Sequence, residues 1–268
     1  MLRDITLGQY YRTDSVIHRL DPRVKLVATF IFIISLFVVK NFWGYLIAGV
    51  FLAVCIKLSN VPPKFIFRGM KTIFFLLLLT MVFNLFLTPG TAIVSFWKLT
   101  ITYEGLKMAS MMAIRLVFLI TGSSIMTLTT TPNNLTDGME SVLGPLKKIR
   151  VPVHEISMMM SIALRFIPIL LEETDKIMKA QMARGADFES GSLIKRAKSL
   201  VPLLVPLFIS AFRRAMDLAM AMEARCYRGG EGRTKMKPLI YKKRDRIAYG
   251  VLYSYLIVAI VVGRILFR

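Results

Sequence analysis

A chain of 268 residues with 55% hydrophobic content and a mean hydropathy of +0.59 lies outside the range of ordinary soluble domains. Its net charge of +20, from 36 Lys and Arg against 16 acids, would suit a nucleic-acid partner, but such proteins do not carry several long apolar runs. In a membrane protein the same excess collects on the cytoplasmic side, where it fixes orientation.

Residues 1–25 contain Arg3, Arg12, Arg19, Arg23 and Lys25, which marks this end as cytoplasmic. No cleavable signal peptide is expected, because the first apolar run, Leu26–Val39, is followed by Lys40-Asn41 and no small-residue cleavage site. Leu20-Asp21-Pro22-Arg23 reads as a helix start, with Asp21 as N-cap and Pro22 at the first helical position. It opens a first span over about Val24–Val39. Phe42–Ile56 forms a second, with Trp43 and Tyr45 as interface anchors. Lys57, Lys64, Arg68 and Lys71 then place a short loop inside. Ile73–Leu87 is the third and most apolar span, broken by Thr88-Pro89-Gly90 and followed by an outer loop to about Lys107. The fourth span, Met108–Thr129, contains Arg115. That residue reads either as a buried functional charge or as an arginine in the outer third of the helix, snorkelling to the headgroups.

Thr131 is the N-cap of a short amphipathic helix, Asn133–Ile149, with Asp137 and Glu140 early and Lys147, Lys148 and Arg150 at or just beyond its end, as the helix dipole prefers. A long helix follows over Val153–Arg184, about 48 Å at 1.5 Å per residue. Its first half, Ile156–Leu171, is apolar but interrupted by Arg165 and Pro168, and Glu172-Glu173-Thr174-Asp175-Lys176 makes the second half wet. The pattern suits a helix lying along or below the inner membrane surface. Gly185 supplies its left-handed terminus. A further helix spans Ser192–Arg225, and its apolar part, Leu200–Ala211, is short and contains Pro202 and Pro206. A basic linker, Arg233 to Arg246, leads to a last span, Ile247–Phe267.

In this layout only Lys40, Lys98, Lys107, Arg115, Arg264 and Arg268 of the 36 cations lie outside or near the outer face. The expected fold is therefore all-α. It is a polytopic membrane protein of about five transmembrane helices, plus a cytoplasmic platform of two to three long amphipathic helices. The expected parts are residues 1–130 (four spans), 131–230 (the platform) and 231–268 (basic linker and last span).

Self-contained chemistry is missing from this sequence. There is no G-x-x-x-x-G-K-[ST] phosphate loop, no H-E-x-x-H and no serine–histidine–acid order worth defending with two histidines. Cys55 and Cys226 lie far apart and imply no disulfide framework, and with only His18 and His154 beside them a structural metal site is not expected. A stand-alone channel or secondary transporter is the second reading, but apart from Asn84 and Arg115 the spans offer little to a solute, and no repeat is visible.

The two platform helices end alike, in Ala183-Arg184-Gly185 and Ala224-Arg225-Cys226. An arginine at such a tip offers five donors in a rigid fork, flanked by small residues that keep the tip slim enough to enter a cleft. One arginine at a helix C-terminus is ordinary dipole pairing. Two matched tips suggest handles for a separate protein. Met158, Met159, Met160, Met216 and Met220 also lie on these helices, where flexible thioethers either fill a core or repack against exchanging partners.

The run Ile162-Ala-Leu-Arg-Phe-Ile-Pro168, the acids Glu172-Glu173 and the string Ala180-Gln-Met-Ala-Arg-Gly185 resemble the transmembrane T component of energy-coupling factor transporters. Leu20-Asp-Pro-Arg-Val-Lys25 and Thr130-Thr-Pro132 are similar to that family too, and the resemblance covers essentially the whole chain. The resemblance implies a non-catalytic coupling subunit of an ABC-type importer in the prokaryotic cell membrane. It would join two ATPase subunits, which hold the ATP and Mg, to a substrate-binding membrane subunit for vitamin or trace-metal uptake. The ATPase-docking residues would be Ala183, Arg184, Gly185, Ala224, Arg225 and Cys226, the last departing from the family's glycine. The methionines would face the substrate-binding subunit. This chain itself would hold no cofactor and no catalytic residue.

Overall fold

The computed structural model describes residues 10–39, 41–96, 99–188, 192, 194, 198–230, 232, 234, 236 and 238–265. They form two compact units, one from the described part of 8–142 and 239–268 and one from the described part of 143–238.

In the first unit, α1 (Pro22–Val38) starts as the sequence directs. The Asp21 carboxylate accepts the Arg23 amide at 2.9 Å, and Pro22 sits where its missing N–H costs nothing. α2 (Phe42–Ser59) ends on Asn60 with a left-handed φ of 52°. α3 (Pro63–Leu87) is longer than the expected span, because Pro63 starts the helix and Ile66 buries itself beside Val61 and Leu128. Lys64 and Lys71 therefore ride on a helical segment, Pro63–Lys71, bent by 60° from Ile73–Leu87. The expected outer loop contains a hairpin, β1 (Ala92–Phe96) against β2 (Leu99–Thr102), antiparallel with Phe96 opposite Leu99. Thr102 caps α4 (Tyr103–Thr129) by accepting the Gly105 amide at 3.1 Å, and its hydroxyl donates to the Thr88 carbonyl at 2.8 Å.

α5 (Pro132–Val142) is shorter than expected, and a 3₁₀ turn, Gly144–Ile149, follows it. α5 packs along α1 within this first unit, where the sequence had grouped it with the platform. Gly138 makes the contact: a Cβ there would stand 3.0 Å from the Pro22 Cβ and 3.2 Å from the Leu26 side chain. α8 (Lys243–Ile265) returns to pack on α1 and α2, so the last span joins the first four as one bundle. Phe32 and Leu36 of α1, Tyr45, Ala48 and Leu52 of α2, Ile125 of α4, and Leu252, Tyr255 and Ala259 of α8 form its core. The Ser35 and Tyr255 hydroxyls hydrogen-bond inside it at 2.8 Å. Large apolar side chains such as Phe74 and Phe75 face outward, as lipid-facing surfaces do. The Arg115 Nε donates to the Tyr45 hydroxyl at 2.8 Å, beside the Phe37 ring.

Among the described residues, α2, α4, α8 and α6 (Val153–Ala183) are long and apolar enough to cross a membrane, with the bent α3 as a fifth. The chain is thus an all-α, multi-pass membrane protein. The expected span count stands, although by length alone α6 qualifies and α1, at 17 residues, is about 25 Å long and falls short.

Two arginine-capped helix ends as the candidate functional site

The second unit is built on α6 and α7 (Val201–Ala224). The expected start of α7 at Ser192 falls partly outside the described residues, as do Lys195, Arg196 and Arg233. Both helices carry one internal proline, Pro168 and Pro206, each of which removes a backbone hydrogen bond and loosens the rod. The two run antiparallel. Near their crossing the Glu173 carboxylate accepts from the Ser210 hydroxyl and, at 2.8 Å, from the Arg214 guanidinium, while the Gln181 amide reaches the Pro202 carbonyl at 3.5 Å. These contacts lower the Glu173 pKa from its ordinary value, the Ser210 hydrogen bond first and Arg214 second.

Both helices then end in the same backbone motif. In α6, the Gly185 amide donates to Met182 and the Ala186 amide to Gln181, both at 3.0 Å. In α7, the Cys226 amide donates to Glu223 at 2.8 Å and the Tyr227 amide to Met222 at 3.0 Å. These are paired six-to-one and five-to-two Schellman bonds, which satisfy the last carbonyls of each helix. The arginines occupy equivalent backbone positions, Arg184 at φ −89°, ψ 7° and Arg225 at φ −91°, ψ 13°. Gly185 takes the left-handed position with φ 88° and Cys226 takes it with φ 55°. The departure from glycine therefore leaves the turn intact, at a cost of about 1 kcal/mol for the Cβ.

Ala183, Arg184 and Gly185 are exposed, and so are Ala224, Arg225 and Cys226. Arg184 lies eleven residues beyond Glu173 and Arg225 eleven beyond Arg214. Because the helices are antiparallel, the two forks sit at opposite ends of the pair, each about 16 Å of helix from the shared link. Beyond the second tip, Gly230 lies so close to the His154 ring that a Cβ would stand 2.2 Å from it.

Of the candidate methionines, Met159, Met160, Met216 and Met220 are exposed and Met158 is half-buried. Met216 (67% exposed) and Met220 continue a stripe that begins with Phe208 and Phe212 (69%), one residue per turn along α7. Sequence reasoning missed Phe208 and Phe212, although their spacing of four with the methionines was the available signal. It also missed the Glu173–Arg214 link, which depends on how α6 and α7 cross. Among the described residues, no group of three or more His, Cys, Asp and Glu is placed to hold a metal ion. Cys55 and Cys226 are both free thiols.

The cobalt transport protein family (CbiQ) matches residues 13–236. Among relatives described as energy-coupling factor transporter transmembrane proteins, one from Clostridium kluyveri is 60% identical over 250 residues, covering 92% of this chain and 93% of the relative. Another from Ruminiclostridium cellulolyticum is 54% identical over 256 residues, 96% of each chain. One from Bacillus subtilis is 47% identical over 263 residues, 97% of each.

Proposed function

The chain belongs to the family of energy-coupling factor transporter transmembrane proteins, and from that premise we propose that it is a coupling subunit with no catalysis of its own. Two ATP-hydrolysing partner subunits, holding ATP and Mg, each grip one arginine tip. ATP-driven closure of that pair moves the tips, and α6 and α7 pass the movement to a substrate-binding membrane subunit that carries a vitamin or trace metal.

The observation that carries this reading is the equivalence of the two helix ends: same cap, same arginine, same exposure, equal distance from the Glu173–Arg214 link. A protein that must engage two like partners needs two like handles. Arg165, Pro168 and the acids from Glu172 onward favour a cytoplasmic position for α6, because a charged residue at mid-bilayer costs about 3 kcal/mol. The cations Arg23, Lys57 and Lys64 at one end of the bundle favour the cytoplasmic side for that end. The stripe from Phe208 to Met220 on α7 is the surface offered to the substrate-binding subunit.

The test is uptake by liposomes holding the chain with its two ATPases and a substrate-binding subunit. The combined Arg184→Ala and Arg225→Ala protein is expected to lose ATP-dependent uptake while still retaining the substrate-binding subunit. Wild-type uptake by that variant would overturn the reading. So would ATP-independent solute movement by the chain alone.

A further inference from the structure

The bundle of the first unit encloses a cavity of about 270 Å³ between α1, α2, α4 and α8, at the end where α1 and α8 begin and α2 and α4 stop. Its wall is mostly hydrocarbon, with Phe32, Phe51, Leu52 and Ile125 among the side chains that line it. Two cations interrupt that wall, Lys25 and Arg244. Lys25 is 7% exposed, and its ammonium donates to the carbonyls of His18 at 3.1 Å and Thr129 at 2.8 Å, neither of which carries a compensating charge. Arg244 holds its Nε buried with no hydrogen-bond partner.

The carboxylates nearby are engaged elsewhere. Asp21 pairs with Arg23 at 2.9 Å. Asp245, itself fully buried, accepts the amides of Asp21 at 2.9 Å and Lys242 at 2.8 Å, tying the start of α8 to the start of α1. Arg23, Lys25 and Arg244 share this end with Asp21 and Asp245, and with Asp137 and Glu140 of α5, which packs on the start of α1; among the described residues neither Asp21 nor Asp245 forms an ion pair with Lys25 or Arg244. A guanidinium nitrogen buried without a partner is costly, and an oxyanion removes the cost. The chamber beyond is apolar, and Val16, Ile247 and Val251 stand exposed along its lining, open to the surroundings of the bundle.

We propose that this cavity is a binding site for an anionic phospholipid, with the phosphate between Lys25 and Arg244 and part of an acyl chain against Phe32 and Phe51. Basic pockets between membrane helices favour such headgroups. The chamber is somewhat smaller than a site that encloses a drug-sized molecule, which suits a chain segment entering from the side. The site is independent of the coupling role, since it uses none of the residues of α6 or α7.

The experiment follows the thermal unfolding of the purified protein in detergent while lipid is added. Phosphatidylglycerol is expected to raise the midpoint saturably by about 5 °C, well above phosphatidylcholine with the same acyl chains, and inorganic phosphate alone to have little effect. Arg244→Gln is expected to remove the difference between the two lipids, and Lys57→Gln, a cation outside the cavity, to keep it. Equal shifts from the two lipids, a full shift from phosphate alone, or an unchanged phosphatidylglycerol preference in Arg244→Gln would each overturn the proposal. A second readout leaves Arg244 in place. With Cys226→Ser, Cys55 in the cavity wall is the remaining thiol, and phosphatidylglycerol should slow its alkylation several-fold relative to phosphatidylcholine. Equal alkylation rates contradict the site.

Discussion

A cation in the last turn of a helix is ordinarily worth a few tenths of a kcal/mol against the helix dipole. Arg184 and Arg225 differ from that case because each stands exposed at the cap of a helix whose terminal carbonyls are already satisfied by Schellman bonds, so the guanidinium is spare. Losing a buried arginine anchor from an interface costs about 2 kcal/mol or more, so either Arg→Ala change alone should weaken ATPase attachment at least about tenfold. The Cys226 turn makes a prediction in the other direction. Cys226→Gly relieves the left-handed Cβ and should stabilise the end of α7 by about 1 kcal/mol, read as slower amide exchange at Cys226 and Tyr227. Faster exchange would mean that the Cβ makes contacts worth more than the strain. A third residue, Asp21, predicts a pH effect. Burial raises its pKa, but the hydrogen bonds and charge of Arg23 outweigh that and hold it below the ordinary 3.8. A carboxylate depressed in the folded state stabilises above its unfolded value, and that contribution is lost as pH falls through the folded one. The stability gap between the wild type and Asp21→Asn should therefore be full at pH 6 and shrink as the pH falls below 3.8, measured by thermal unfolding at each pH. A gap independent of pH would remove the Asp21–Arg23 pair from the account.

At the scale of elements, the Glu173–Arg214 contact joins α6 to α7, and the proposed function uses that join to make the two tips act together. Its side chains are 23% and 39% exposed, so solvent screens the ion pair, and a double-mutant cycle of Glu173→Ala with Arg214→Ala should return a coupling of only about 0.5–1 kcal/mol. The larger consequence is in transmission. Glu173→Ala should lower uptake per ATP hydrolysed while leaving ATPase binding intact, whereas unchanged coupling would show that the crossing needs no link there. How much of these elements could be read in advance follows from the range of the forces. The start of α1 was legible in Asp21-Pro22, and the tips were legible in two short strings, because caps are made by neighbours in sequence. The bent start of α3, the hairpin and the packing of α5 on α1 were not. They depend on Ile66 finding Val61 and Leu128, on pairing across a turn, and on Gly138 admitting Pro22. The partner of Arg115 was hidden for the same reason, since the Tyr45 hydroxyl comes from another helix.

Across the whole molecule the division of labour follows from composition. One unit is a helix bundle with an apolar exterior and a small polar interior, and the other is a pair of charged, proline-loosened helices. The first is built to stay in lipid, where packing and interhelical hydrogen bonds such as Ser35–Tyr255 hold helices together. The second is, on the proposed function, the part that partner subunits hold. The central claim is that the chain carries two equivalent docking points, and counting partners tests it directly. Native mass spectrometry of the chain purified with its ATPases should find two ATPase subunits on the wild type, one on Arg184→Ala, one on Arg225→Ala and none on the double variant. Two ATPase subunits retained on the double variant would contradict the account.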